Sequence, residues 1–447
     1  MNCGKILIHE SNESFKRIII LAPTMANESK PIVIMGAGLS GLAASIILAK
    51  GGRKVIIHDI RENSGARFDG DFQGLENWTT GTDFFDELRE WGIDPEEFKS
   101  TDFHEVDLAH PDDVITKPWS SRVAFRVVER GSDEHTIDQG LKRLALKEGV
   151  EIKYKSRIKP KDCDIIAAGP KKTSAVAYGE VFKTNFPNHV TLQLNDKLAP
   201  GAYSYLIVID GIGLICTCLW RQQSKSERFL NETINWYEKK YPELDRVPIK
   251  RVGGKGDFAI HSSYKSDGRY YVGEAGGLQD FMWGFGMRYA ITSGVYAAKD
   301  ILGESDYELE IKSKLLPKLK TSVVNRFLMN RIGDRGFKQV AKYWMRHQKK
   351  HGDGLLFIEK IYNWGIFRRF IFFFANLGML KKTITKDGRK MRRMPFRDPL
   401  KRDVWSPSER AIEIGKEWEQ IKKSGGNISF SNDSDSETIP NKLEASD

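Results

Sequence analysis

Six residues, Gly36-Ala37-Gly38-Leu39-Ser40-Gly41, carry the pattern G-x-G-x-x-G, and an acid, Asp59, follows eighteen residues after the last glycine. That spacing suits a nucleotide diphosphate. Gly36 permits a tight turn, Gly38 lets a pyrophosphate approach the backbone, and Gly41 lets a helix pack closely on a strand. Leu39 and Ser40 lie in the turn just before the helix, whose free N–H groups and dipole favour phosphate. Asp59, with Ile60 beside it, is placed to accept hydrogen bonds from an adenosine ribose.

The elements that must hold these residues are legible in the same stretch. Residues 32–35 form a short apolar run of the kind seen in strands buried on both faces, residues 42–50 read as a helix, and residues 55–58 form a second buried strand that delivers Asp59. Beyond them, residues 83–98 read as a helix and turn, and residues 115–131 as strands. In residues 136–147 the positions Ile137, Leu141, Leu144 and Ala145 share one helical face, and Gly149 ends that helix. The run 164–170 is another buried strand closing on a glycine turn. A more polar, β-rich portion, residues 182–249, carries a helix around 226–240. The chain then returns to the nucleotide fold at 269–302, with a strand at 270–272, Gly273-Glu274 closing it, and a helix of small residues from Met287.

Composition bounds the rest. The 447 residues have room for two or three domains, and 40% hydrophobic residues is ordinary for a folded chain. Four cysteines, Cys3, Cys163, Cys216 and Cys218, are too few for a disulfide framework, and none has zinc-type C-x-x-C spacing. No metal site is expected, and a reducing, cytoplasmic setting fits best. Cys216 and Cys218 fall on one face of a strand by alternation and read as small apolar fillers rather than a redox or metal pair. No apolar run reaches the ~18 residues a membrane span needs. The net charge of +10 is mostly local, because residues 381–402 carry ten Lys/Arg against two Asp, a net of +8.

The stretch GAGLSGLAAS, followed by Asp59 and then Ser64-Gly65-Ala66-Arg67, resembles FAD-containing oxidoreductases. With VGEAGGLQDFMWGFGMRYA added, the chain resembles the geranylgeranyl reductase branch of the FAD-dependent oxidoreductases, related in fold to the aromatic hydroxylases. The matching motifs spread over residues 31–302. The resemblance implies that Arg67 lies near the flavin diphosphate, that Glu274 hydrogen-bonds the ribityl chain, and that Gly284 and Gly286 let backbone lie against the ring. Met287 opens the helix whose N–H groups would stabilise the negative charge of reduced flavin. Three departures accompany it. The segment ENSGARFDGDFQ has no cysteine where the archaeal lipid-reducing relatives place one facing the active site, no proline follows the flavin-contacting acid, and GAYSYLIVI only approximates the family's YxWxFP pattern.

The fold class expected is α/β, a Rossmann-like FAD-binding domain with an inserted β-rich substrate domain and a C-terminal helical region. Its parts are an N-terminal extension at 1–30, the FAD-binding domain at 31–181 and 251–303, the insertion at 182–250, the helical and basic region at 304–424, and a polar tail at 425–447 expected to be disordered. The activity implied is hydride transfer to carbon–carbon double bonds of an isoprenoid lipid, with Tyr203, Tyr205 and Trp283 as active-site residues and an external electron donor of the NADPH or ferredoxin kind. A flavin-dependent monooxygenase and a non-catalytic flavin-binding protein at a membrane are the rival readings.

Residues 355–380 are densely apolar and aromatic and read as two short helices broken near Asn363-Trp364-Gly365, their polar residues not gathered on one face. The basic run directly after them makes peripheral contact with an anionic membrane through 355–402 the favoured expectation, at the inner face of the bilayer. A helical cap with a solvated charge run is the alternative. No nucleic-acid partner is expected, since no nucleic-acid module accompanies the charge.

Overall fold

Short apolar runs become the interior of a parallel sheet when helices pack on it, here Leu39–Lys50, Ile137–Lys147 and Met287–Ile301 in one shared core. In the computed structural model this sheet has six strands in the order Glu151–Lys153, Val55–His58, Ile32–Met35, Ile165–Ile166, Arg269–Tyr271 and Lys265–Ser266. All neighbours are parallel except the last pair. The structure describes residues 30–395 apart from Lys171 and Lys386, together with a strand pair, Ile6–Leu7 and Ile19–Ile20, in the extension. Cys3, basic residues 396–402 and the polar tail lie outside the described residues.

The helix Leu39–Lys50 is buried from Leu39 through Leu48 and therefore shows no apolar stripe. Its partner on one side is the helix Met287–Ile301, which comes so close that a side-chain carbon on Gly294 would lie 2.2 Å from the Ser40 carbonyl oxygen. The helix Ile137–Lys147 buries Ile137, Leu141, Leu144 and Ala145 and is capped by Thr136, whose hydroxyl accepts from the Gln139 N–H.

A second sheet of seven strands stands over the first, in the order Val247–Gly256, Ala175–Lys183, Ile212–Leu219, Ser204–Ile209, His189–Gln193, Asp107–Ala109 and Ile115–Thr116. It extends beyond residues 182–250. Asp107–Ala109 pairs in parallel with His189–Gln193, a partner so distant in sequence that no local pattern announces it. A third sheet of three antiparallel strands, Asp71–Glu76, Phe125–Arg130 and Ser100–Phe103, packs with both: Leu75 and Val128 join the core of the first sheet, and Phe72 and Val127 that of the second.

After residue 303 the chain is mainly helical. The helix Leu316–His351 is interrupted at Gly333, with φ +52° and ψ −161°. It is followed by Leu355–Ile361, Ile366–Met379 and a hairpin, Lys381–Ile384 with Lys390–Arg393, that adds to Ala259–His261. The break between the two shorter helices falls at residues 362–365. Arg326 ties this region to the rest. Its guanidinium, 1% exposed, donates to the carbonyls of Phe281, Gly201 and Met282 and lies over the Trp220 ring.

Candidate active site

The glycine turn, the second sheet and the loop before Met287–Ile301 enclose one cavity of about 850 Å³. At one end, Gly36 has φ +107°, and a side chain there would press to 2.6 Å from the Ala167 carbonyl oxygen. Only glycine meets both demands. Gly41 does not line the cavity. A side-chain carbon on it would come 2.0 Å from the Gly36 carbonyl oxygen, so its work is the close packing of helix on turn.

Gly38 is different, since a side-chain carbon on it would meet nothing within 4 Å. The helix it precedes has no side-chain cap and no acid in its first turn. An open approach to an uncapped helix N-terminus fits a diphosphate. Asp59 holds the turn itself, its Oδ2 accepting from the Ala37 N–H at 2.7 Å and its Oδ1 from the Arg61 N–H at 2.8 Å. A carboxylate has about four acceptor positions, so capacity for a ribose remains. Ile60 stands at the rim, 63% exposed.

Arg67 and Glu274, 207 residues apart, form an ion pair at 3.0 Å. Arg67 also donates to the Lys255 carbonyl, while the other Glu274 oxygen accepts from the Asp257 N–H at 3.0 Å. Burial pushes the Glu274 carboxyl above its ordinary range, and Arg67 opposes the shift. Across the cavity, Gly284 has φ +80°, and Gly286 precedes the helix Met287–Ile301 without any side-chain cap. Beside them the Gln279 amide donates to the Gly284 carbonyl at 3.0 Å, and its buried Oε1 has no partner.

The wall contributed by the seven-stranded sheet carries Tyr203, Tyr205, Cys216 and Cys218. Tyr205 stands opposite Cys216 in the strand register, and the Tyr203 hydroxyl donates to the Trp283 carbonyl. The Tyr203 and Trp283 rings meet edge-on at 5.6 Å. Burial pushes both phenols and the Cys216 thiol well above their usual values, so all three stay neutral. Sequence reading therefore finds three residues that the fold brings to this cavity, and it passes over two others that line it.

Those two are Asp71 and Gln73. A buried chain runs Asp138, Arg130, Gln73, Asp71: Arg130 forms a two-point pair with Asp138 at 2.7 and 2.9 Å, donates to Gln73 Oε1 at 3.2 Å, and Gln73 donates to Asp71 Oδ2 at 2.7 Å. Burial lifts the Asp71 carboxyl to about 6, with Gln73 and Arg130 pulling the other way. The signal in sequence was the alternation Asp71-Phe72-Gln73, which puts two polar groups on one strand face.

No family model matches the chain, and no curated protein matches it. Solved structures do. The parallel sheet, its glycine turn and the second, seven-stranded sheet give the chain the fold of the FAD-dependent oxidoreductases. One similar structure is a geranylgeranyl bacteriochlorophyll reductase-like protein from Thermoplasma acidophilum, with a TM-score of 0.57 at 18% identity over 69% of this chain and 90% of that one. Another is the flavin-dependent brominase Bmp2, with a TM-score of 0.52 at 13% identity over 77% of this chain and 97% of that one.

Proposed function

We propose that the protein binds FAD and reduces carbon–carbon double bonds of an isoprenoid lipid of geranylgeranyl type. The observation that carries this reading is one cavity joining an open glycine turn to a wall of neutral aromatic and thiol side chains, with the buried Asp71 carboxyl among its lining residues. The reductase-like name of the Thermoplasma acidophilum protein supports it.

The backbone of residues 36–41, Asp59, the Arg67–Glu274 pair and the loop from Gly284 to Met287 would hold the cofactor. Bound and reduced, FAD supplies a hydride. Tyr203, Tyr205 and Trp283 position the apolar chain and exclude water, which hydride chemistry requires. Asp71 would be the proton source: its proton would go to the alkene carbon that does not take the hydride, leaving a saturated bond and a carboxylate that is reprotonated from solvent. The electrons enter from an external donor of the NADPH or ferredoxin kind.

The test is anaerobic. FAD-loaded protein, chemically reduced, is mixed with geranylgeranyl lipids, and return of the oxidised flavin spectrum is the expected result. A flavin that no polyprenyl compound reoxidises, but that transfers oxygen to a substrate once air is admitted, would replace this reading with a monooxygenase. A flavin inert in both settings would leave a binding protein without catalysis.

A further inference from the structure

We propose that the helix Ile366–Met379 docks the protein on an anionic lipid bilayer, lying along the interface with its phenylalanine face in the outer acyl region. Soluble helices turn their apolar face inward. This one does the reverse. Ile366, Phe367, Phe370, Phe373, Phe374 and Leu377 are 87%, 71%, 66%, 61%, 50% and 54% exposed. At 3.6 residues per turn they occupy an arc of roughly 120°. The inward side holds Ala375 and Met379 together with a cation, Arg368, which donates to Asn325 Oδ1 at 2.5 Å. Asn325 in turn donates to the Ile361 carbonyl at 3.0 Å. The polar contacts thus fix the helix to the body and leave the aromatic row outside.

Charge selects the occupant. No acidic residue stands between Glu359 and Asp387, and Asp387 is engaged by the Tyr271 hydroxyl at 2.5 Å and by Arg389 at 3.1 Å. Arg369, Lys381, Lys382 and Lys390 are all exposed. On the hairpin that follows, Lys382 faces Arg392 across the strands and Ile384, 71% exposed, faces Lys390. Arg392 donates to the Asn376 carbonyl, which fixes the hairpin to the helix. An exposed aromatic row with cations beside it and no competing acids fits negatively charged headgroups over an apolar layer. A helix of 14 residues spans only ~21 Å, against ~30 Å of hydrocarbon. Among the described residues no helix is long and apolar enough to cross a membrane.

The experiment is co-sedimentation of the full-length protein with vesicles of phosphatidylcholine alone and of phosphatidylcholine mixed with phosphatidylglycerol. The protein is expected to pellet with the mixed vesicles and to release as salt rises. The double variant Phe370→Ser with Phe373→Ser should lose at least tenfold in vesicle partition with an unchanged melting temperature, since both rings stand in solvent. Lys382→Gln with Lys390→Gln should lower binding to the anionic vesicles roughly 25-fold, at about fivefold per cation. Failure of the native protein to pellet, or serine variants that bind as well as the native chain, would overturn the proposal. So would a native dimer in solution that the serine variants convert to monomer, because the face would then belong to a second copy.

Discussion

Gly38→Val separates the cofactor site from the fold. Gly38 has φ −85° and ψ 178°, extended backbone that any residue adopts, and its added carbon meets no protein atom within 4 Å. Two opposing effects on stability follow. Valine is a poorer residue than glycine just before a helix, by up to about 1 kcal/mol, while restricting the unfolded chain returns about 0.4–1 kcal/mol. The balance is near zero, so the melting temperature of the FAD-free variant should stay within about 3 °C of the native FAD-free protein. Cofactor binding should not survive. The side chain occupies the approach to the free N–H groups of the helix, and losing two charge-assisted hydrogen bonds at about 1.5–3 kcal/mol each weakens FAD about 100-fold or more. Thermal melts and titration of FAD-free protein with FAD measure the two quantities separately. A valine variant with undiminished FAD affinity would refute the placement of the diphosphate, and one that unfolds would refute the claim that Gly38 faces open space.

Gly41→Ala should do the opposite, since its carbon would lie 2.0 Å from the Gly36 carbonyl oxygen. Overpacking of this kind costs about 1–3 kcal/mol, read as a clear fall in melting temperature even without cofactor. Asp71 makes a pH prediction. Its folded value is raised from 3.8 to about 6, so the folded state holds the proton more tightly than the unfolded one. Below pH 3.8 the carboxyl is protonated in both states and costs no ionisation penalty, and as pH rises to about 6 the folded state loses in all about 3 kcal/mol relative to that, the full loss being present at pH 7. Asp71→Asn should match the native melting temperature near pH 4 and exceed it at pH 8; equal melting curves at both would remove the buried, ionising carboxyl from the account. The same variant should slow flavin reoxidation by an alkene about 100-fold, and the native rate should fall as pH rises through about 6, the value burial gives Asp71.

Where neighbouring residues alone decide the outcome, the sequence was readable. The strands Ile32–Met35, Val55–His58 and Ile165–Ile166 are apolar runs ending in glycine or acid; the first two are fully buried on one face and only half-buried on the other, so the expected burial on both faces holds for Ile165–Ile166 alone. The helix break at 362–365 follows from Asn363-Trp364-Gly365. Residues 107–109 joined the second sheet without notice, because their partner lies more than eighty positions on. Asp71 escaped for a related reason. Its chemistry depends on Gln73, Arg130 and Asp138 converging from a second strand and a helix, and on the cover that raises its proton affinity. The polarity of Ile366–Met379 could not be resolved by counting faces, because Arg368 points inward to Asn325 and the phenylalanines point out.

The most direct test of the reductase reading is the mass of the product. FAD-loaded protein with its reductant and a geranylgeranyl lipid is run once under nitrogen and once under isotopically labelled oxygen, and the lipid is weighed by mass spectrometry. A gain of two hydrogens per reduced bond in both gases, with no label incorporated, is the predicted result. A lipid unchanged under nitrogen that takes up a labelled oxygen atom in the second run would contradict it.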